Sequence, residues 1–239
     1  MSDLSITRNM SPTINSTSGG DEAVENFKTL YANNKEGAIE TFSSMLEDYT
    51  ETARNKTVKF FLTLYKSESD KDKAMAILSS SKLSSHTLVE IFKNNLTDED
   101  TATEIFKALY EKNPQKAIDT FGGMFILAGP DNVDKPIAIF SKLCGSGDHQ
   151  DKTLAISTVS KLLNFEMEIL LANRLLSEDI AVETFKILYE ENSEKAIGIP
   201  CHMLAADESV DRASAIFSSL YGSDKDQDKI IAILSSKEL

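Results

Sequence analysis

AVENFKTLYANNKEGAIETFSSM, residues Ala23 to Met45, is the stretch whose reading decides the fold, because the chain writes it three times. The second copy runs from Ala102 to Met124 and the third from Ala181 to Met203. Phe27, Phe106 and Phe185 set the interval, 106 − 27 = 79 and 185 − 106 = 79. A fixed long period is the signature of stacked structural repeats. Within the first half of each copy, Ala23, Phe27, Leu30 and Tyr31 fall at i, i+4, i+7 and i+8, one apolar stripe of a 3.6-residue helix. The same four residue types return at Ala102, Phe106, Leu109, Tyr110 and at Ala181, Phe185, Leu188, Tyr189. Glu25 and Lys28, with Glu104/Lys107 and Glu183/Lys186, read as weak solvated pairs three residues apart.

A second helix of the copy starts at Asn34, Asn113 or Asn192. Asparagine is a favoured N-cap because its side-chain oxygen accepts from a helix N–H that lacks a partner. Pro114 follows one of these caps, at the first helical position, where a missing N–H costs nothing. In the third copy Pro200 stands where the others have Phe42 and Phe121, and a proline that deep predicts a broken or kinked helix.

Outward from this stretch, Phe61, Leu64 and Tyr65 correspond to Phe140, Leu143, Cys144 and to Phe217, Leu220, Tyr221. The last step shortens to 217 − 140 = 77. This third helix has candidate caps at Asn55, Asp134 and Asp211. A fourth has them at Asp72, Asp151 and Asp228, ahead of KAMAIL, KTLAIS and KIIAIL. A fifth, over Thr87–Leu96 and Phe165–Leu176, closes the first two copies. No segment alternates with period two. The fold class expected is all-α, an α-solenoid of three 79-residue repeats with about five short helices each and a shortened third repeat. Its segments are a Ser/Thr/Asn-rich tail over 1–20 and repeats over 21–97, 98–176 and 177–239. About fourteen helices are expected. In the last repeat Ile230, Ile231, Ile233 and Leu234 would lack a covering helix, which predicts either an association surface for a partner helix or for head-to-tail contact with another copy, or last helices re-aimed by Pro200 and the two-residue deletion so that they cover themselves.

Composition narrows the function classes. The net charge is −13, with 38 acidic against 25 basic residues, and this argues against binding to nucleic acid phosphates or to anionic membranes. A basic protein partner is the complementary expectation. The longest apolar runs, Phe121–Gly129 and Ile197–Ala206, are too short to span a bilayer, so no membrane insertion is expected. Two cysteines, Cys144 and Cys201, make no disulfide framework, and together with a start that does not read as a secretory signal they suggest a cytoplasmic protein.

Chemistry-bearing motifs are sparse. Asp224, Asp226 and Asp228 alternate as at the start of a calcium-binding EF-hand loop, but the glycine and glutamate that such a loop needs are Lys229 and Ser235 here. Helix capping accounts for the recurring aspartate. His86, His149 and His202 are isolated from one another. Cys201-His202 aligns with Ser43-Ser44 and Gly122-Gly123, a small-residue site in a helix. Cys144 takes the place of two tyrosines and reads as a buried helix-face residue. The glycine pairs lack the strand context of a phosphate-binding loop. No catalytic, cofactor-binding or metal-ligating residue is assigned, and no enzyme activity is expected.

The run LSSHTLVEIFKNNLTDEDTATEIFKALYEKNPQKAIDTFGGM, Leu83 to Met124, resembles the cytosolic N-terminal superhelix of MgtE-type magnesium transporters and the related helical domains of flagellar motor proteins. The shared features are short helices opened by acidic or Asn/Pro caps, with Glu-x-Phe or Lys-Ala-Ile runs behind each cap. The resemblance implies a helical superhelix and carries no ligand residues with it. The functional expectation is a non-enzymatic scaffold or adaptor that binds a protein partner, the alternative being a magnesium- or calcium-responsive module whose acidic inter-helix loops hold the cation.

Overall fold

The structure is a computed structural model, and it describes residues 20–47, 50–128, 133–162, 164–173, 176–205 and 210–222. These residues form thirteen helices and, among them, no strand: the protein is all-α. The chain divides between Thr97 and Asp98 into two compact units.

The first unit holds α1 (Gly20–Asn33), α2 (Lys35–Leu46), α3 (Glu51–Lys66), α4 (Lys71–Ser79) and α5 (Ser85–Lys93). Its core is aromatic. Phe27 of α1 sets its ring edge-on against Phe60 of α3 at 5.2 Å, and Phe42 of α2 lies 5.8 Å from Phe60 and 6.1 Å from Phe61. All four rings are buried, in the tilted and edge arrangements that ring quadrupoles favour. Lys28 reaches from α1 to Asp70 at the head of α4 (2.7 Å), and Asp70 also takes Lys73 at 2.8 Å. The sequence pattern proposed Glu25 as the partner of Lys28. That contact exists at 2.9 Å, but its carboxylate is exposed, whereas Asp70 is buried.

The second unit holds α6 (Glu99–Lys112), α7 (Pro114–Ala128), α8 (Asp134–Gly145), α9 (His149–Val159), α10 (Asn164–Ala172), α11 (Glu178–Glu191), α12 (Ser193–Ala205) and α13 (Val210–Tyr221). Here Phe106, Phe121, Phe140 and Phe185 are buried. A Cβ at Gly122 would stand 2.8 Å from Oε1 of the buried Glu166, so the missing side chain leaves room for that carboxylate where α10 packs on α7.

Three asparagines begin the helices that the sequence assigned to them and also end the helices before. Asn34, Asn113 and Asn192 have nearly one backbone conformation (φ −152, −153 and −153°; ψ 89, 85 and 88°). Each donates its N–H to the leucine four residues back, Leu30, Leu109 or Leu188, at 2.7–2.8 Å. Each side-chain oxygen accepts from the N–H three residues on, of Gly37, Lys116 or Lys195, at 3.0–3.1 Å. One asparagine thus ends a helix and begins the next.

Other expected helix starts move. Asn55 lies inside α3, whose cap is Thr50, and its side chain accepts instead from Asn94 Nδ2 at 2.7 Å, tying α5 to α3. Asp72 and Asp151 sit in the first turns of α4 and α9, with Asp70 and Asp148 at the cap positions. Asp134 and Asp211 are first-turn residues of α8 and α13. In all four cases the carboxylate sits near the positive end of the helix dipole, which satisfies the same electrostatics within the first turn. α5 and α10 stop earlier than expected. At α5 the reason is visible: the Thr97 hydroxyl donates to the Ile91 carbonyl at 2.7 Å and holds the departing chain.

Of the break or kink expected at Pro200, the helix end does not occur. α12 runs from Ser193 to Ala205 with Pro200 inside it. Ala196, Ile199, Pro200 and Met203 are all buried and α12 packs against α10, α11 and α13, so tertiary packing holds a helix that local propensity would end. Asp224, Asp226, Asp228, Ile230, Ile231, Ile233 and Leu234 lie outside the described residues, as does the segment over 1–19.

Candidate functional site

A concavity of the second unit opens where α8, α9 and α11 meet. Phe140 and Cys144 of α8, Ile156 and Val159 of α9, and Ile180 and Ile187 of α11 form a groove of about 320 Å³. Phe140 and Val159 are buried, while the three isoleucines are half-exposed. Lys152 stands on the α9 rim, and Asp179 and Glu183 on the α11 rim.

Each wall is held by polar contacts behind it. α9 is capped by Asp148, whose carboxylate accepts from the Gln150 N–H at 2.8 Å, and Lys107 of α6 grips Asp151 at 2.5 Å. α11 is capped by Ser177, which accepts from the Ile180 N–H at 3.3 Å. Lys195 of α12 donates to the carbonyls of Ser160 and Leu162 just beyond α9. Arg212 of α13 donates to the carbonyls of Leu171 (3.1 Å), Leu176 (2.5 Å) and Ser177 (3.0 Å), clasping the link between α10 and α11. Such carbonyls would otherwise be left without a partner at helix ends. Burial holds the Lys195 ammonium and the Arg212 guanidinium below their ordinary pKa ranges. The sequence pattern did not single these cations out. A signal was present: Lys116 and Lys195 stand 79 residues apart, and Lys135 and Arg212 stand 77 apart, on the period itself.

One small side chain lies in the groove where the other copies carry tyrosine, buried at Tyr65 and 67% exposed at Tyr221. At the corresponding position of the first unit, Tyr65 is buried, its ring stacked on Phe61 at 6.0 Å with the Lys71 ammonium 5.0 Å from the ring centre. Cys144 at the same place in the period has no ring to fill the space and is half-buried rather than buried. Burial pushes its thiol up to about 12, so it stays protonated at neutral pH. A thiol is a weak nucleophile in that form, and Cys144 is part of a surface rather than a reactive centre. On α11, Asp179 and Glu183 are four residues apart on one face and exposed. Neither carboxylate takes part in an ion pair or hydrogen bond with the described residues.

A second, wider hollow of about 400 Å³ lies between α6 and α9 and includes His149, Tyr110, Glu111 and the Lys107–Asp151 pair. His86 is exposed in the first turn of α5, in the other unit from His149. Cys201 and His202 lie in α12, and their side chains fall outside what the structure describes. Among the described residues no group of three or more His, Cys, Asp or Glu side chains is placed to hold a metal ion. Among the same residues no helix is long and apolar enough to cross a membrane. Comparison with protein-family models and with curated proteins gives no match.

Proposed function

We propose that the chain is a non-enzymatic scaffold or adaptor, an α-solenoid of three 79-residue repeats over 21–97, 98–176 and 177–239, that binds a protein partner in the groove between α8, α9 and α11. The repeat reading is supported by the three asparagine hinges with one geometry and by the burial of Phe27, Phe106 and Phe185 at the same place in the period. The observation that carries the binding reading is the groove itself. Three half-exposed isoleucines face a hollow of about 320 Å³, at the lower end of the size range of ligand pockets. Stacked helical repeats commonly bind through surfaces of this kind, which arise where one repeat packs on the next.

Cys144→Tyr restores the residue that the period carries at Tyr65 and fills the groove without altering charge. A displayed peptide library selected on the wild-type protein and rechecked on this variant tests the reading. The expected result is a set of peptides that bind the wild type and lose the variant. Selected peptides that bind both equally, or no enrichment at all, would overturn it.

A further inference from the structure

We infer that the occupant of this groove is a cationic amphipathic helix, with aliphatic anchors on one face and lysine or arginine along the edge that meets α11; the inference rests on the reading of the groove as a protein-binding surface. The argument is one of shape and charge. From Asp179 to Ile187 the α11 wall is nine residues, about 12 Å or two helical turns, long enough to accompany a short helix. The floor of Ile156, Ile180 and Ile187 over Phe140 and Val159 offers aliphatic and aromatic surface with no backbone edge to pair with. Side-chain anchors of a helix fit this floor, whereas an extended strand would gain none of its main-chain bonds.

Charge then sets the partner's sign. Asp179 and Glu183 are like charges one turn apart, an arrangement that disfavours the helix carrying it. The buried Asp70 is answered by Lys28 and Lys73 and the buried Asp151 by Lys107, whereas Asp179 and Glu183 are exposed. Asp179 and Glu183 are not answered within the described residues. They flank an apolar floor, so a ligand seated there brings its own cations within reach of both. The single cation of the opposite rim, Lys152, favours an acidic residue at the other edge of the same ligand and so gives the helix one preferred direction. A phosphate-bearing ligand would meet the two carboxylates and is disfavoured.

The test uses the full chain and three fluorescein-labelled amphipathic peptides of about four helical turns. They share a leucine face, and their polar faces carry lysine, glutamine or glutamate. Binding is followed by anisotropy at low and physiological salt. The lysine peptide is expected to bind most tightly and to weaken about tenfold on Asp179→Asn/Glu183→Gln. The charge-matched pair Glu36→Gln/Glu51→Gln, on exposed positions of α2 and α3, is expected to leave binding unchanged. Equal losses from the two pairs would reduce the effect to overall acidity and overturn the inference. A glutamine peptide that binds as well as the lysine peptide would also overturn it; if that binding is lost on Cys144→Tyr, the groove reading survives. Lysine-peptide binding untouched by Cys144→Tyr would sink both. Circular dichroism melting checks that variant's fold, and Ile187→Lys, on a half-exposed wall position, repeats the test if Cys144→Tyr melts early.

Discussion

Replacing Asp70 by asparagine removes one charge from a nearly isosteric side chain that ties α1 to α4 and also takes bonds from Lys73, Ser67 and Ser69. The carboxylate side chain is only 8% exposed and accepts from Lys28 Nζ at 2.7 Å and Lys73 Nζ at 2.8 Å. It makes no capping bond to the backbone of α4, so the substitution costs no cap. The hydrogen bond from Lys28, and then that from Lys73, holds its pKa down from 3.8 to about 2. At 1.36 kcal/mol per unit that lowering is worth about 2.4 kcal/mol. The lysine side chains are 29% and 27% exposed, and solvent screening brings the expected loss to about 1–2 kcal/mol. The folded state holds this proton less readily than the unfolded chain. The contribution is therefore complete above pH 3.8 and disappears as pH falls through 3.8 towards 2. Urea denaturation of the full chain by circular dichroism, at a series of pH values, should show wild type and variant converging over that window. Amide exchange should place the lost protection in α1 and α4. A gap between the two proteins that persists unchanged at pH 2 would show that the effect is packing and refute the ionic account.

Phe185→Ala should cost about 3–5 kcal/mol in urea denaturation, since the ring is fully buried in the second unit; a loss below 1 kcal/mol would remove Phe185 from the core. Lys116 is buried and its pKa is lowered to about 8, so the unfolded chain binds more protons between pH 8 and 10.5 and stability should rise with pH across that interval. The slope should fall in Lys116→Met, with the remainder owed to other buried cations such as Lys195, and an unchanged slope would contradict the assignment. Pro200→Ala exchanges a helix-interior proline, about 3 kcal/mol less favourable than alanine, for the loss of two buried ring carbons at about 0.8 kcal/mol each. The balance is a gain of about 1–2 kcal/mol in thermal or urea stability, and a destabilised variant would mean that the packing around the ring outweighs the helix.

Much of the helical plan was legible because its signals are local. Phe27, Phe106 and Phe185 sit on stripes that only a 3.6-residue helix explains, and Asn34, Asn113 and Asn192 can satisfy helix ends with atoms three and four residues away. The errors came where local rules compete. An aspartate favours any position near a helix N-terminus, through the dipole as well as the cap, so Asp72 and Asp151 marked the right turns but the wrong residues. Pro200 reads as a breaker in isolation, and only the neighbours of α12 decide otherwise.

The groove was illegible for a different reason: it is made of missing atoms. The period shows that Cys144 stands where Tyr65 stands, and from composition alone this looks like a smaller residue in a core. Whether the space left by a ring is closed by neighbours or opened to water depends on the helices around it. At Cys144 those helices are held by their backs. Lys107 draws α9 towards α6, Lys195 fixes the end of α9, and Arg212 fixes the start of α11. Walls tethered from behind cannot collapse onto a small side chain, so the space stays open and Ile156, Ile180 and Ile187 remain half-exposed around it. The cations that look structural and the groove that looks functional are thus one arrangement: loosening Lys195 or Arg212 should let α9 and α11 close over Cys144 and remove the surface without touching a residue that lines it.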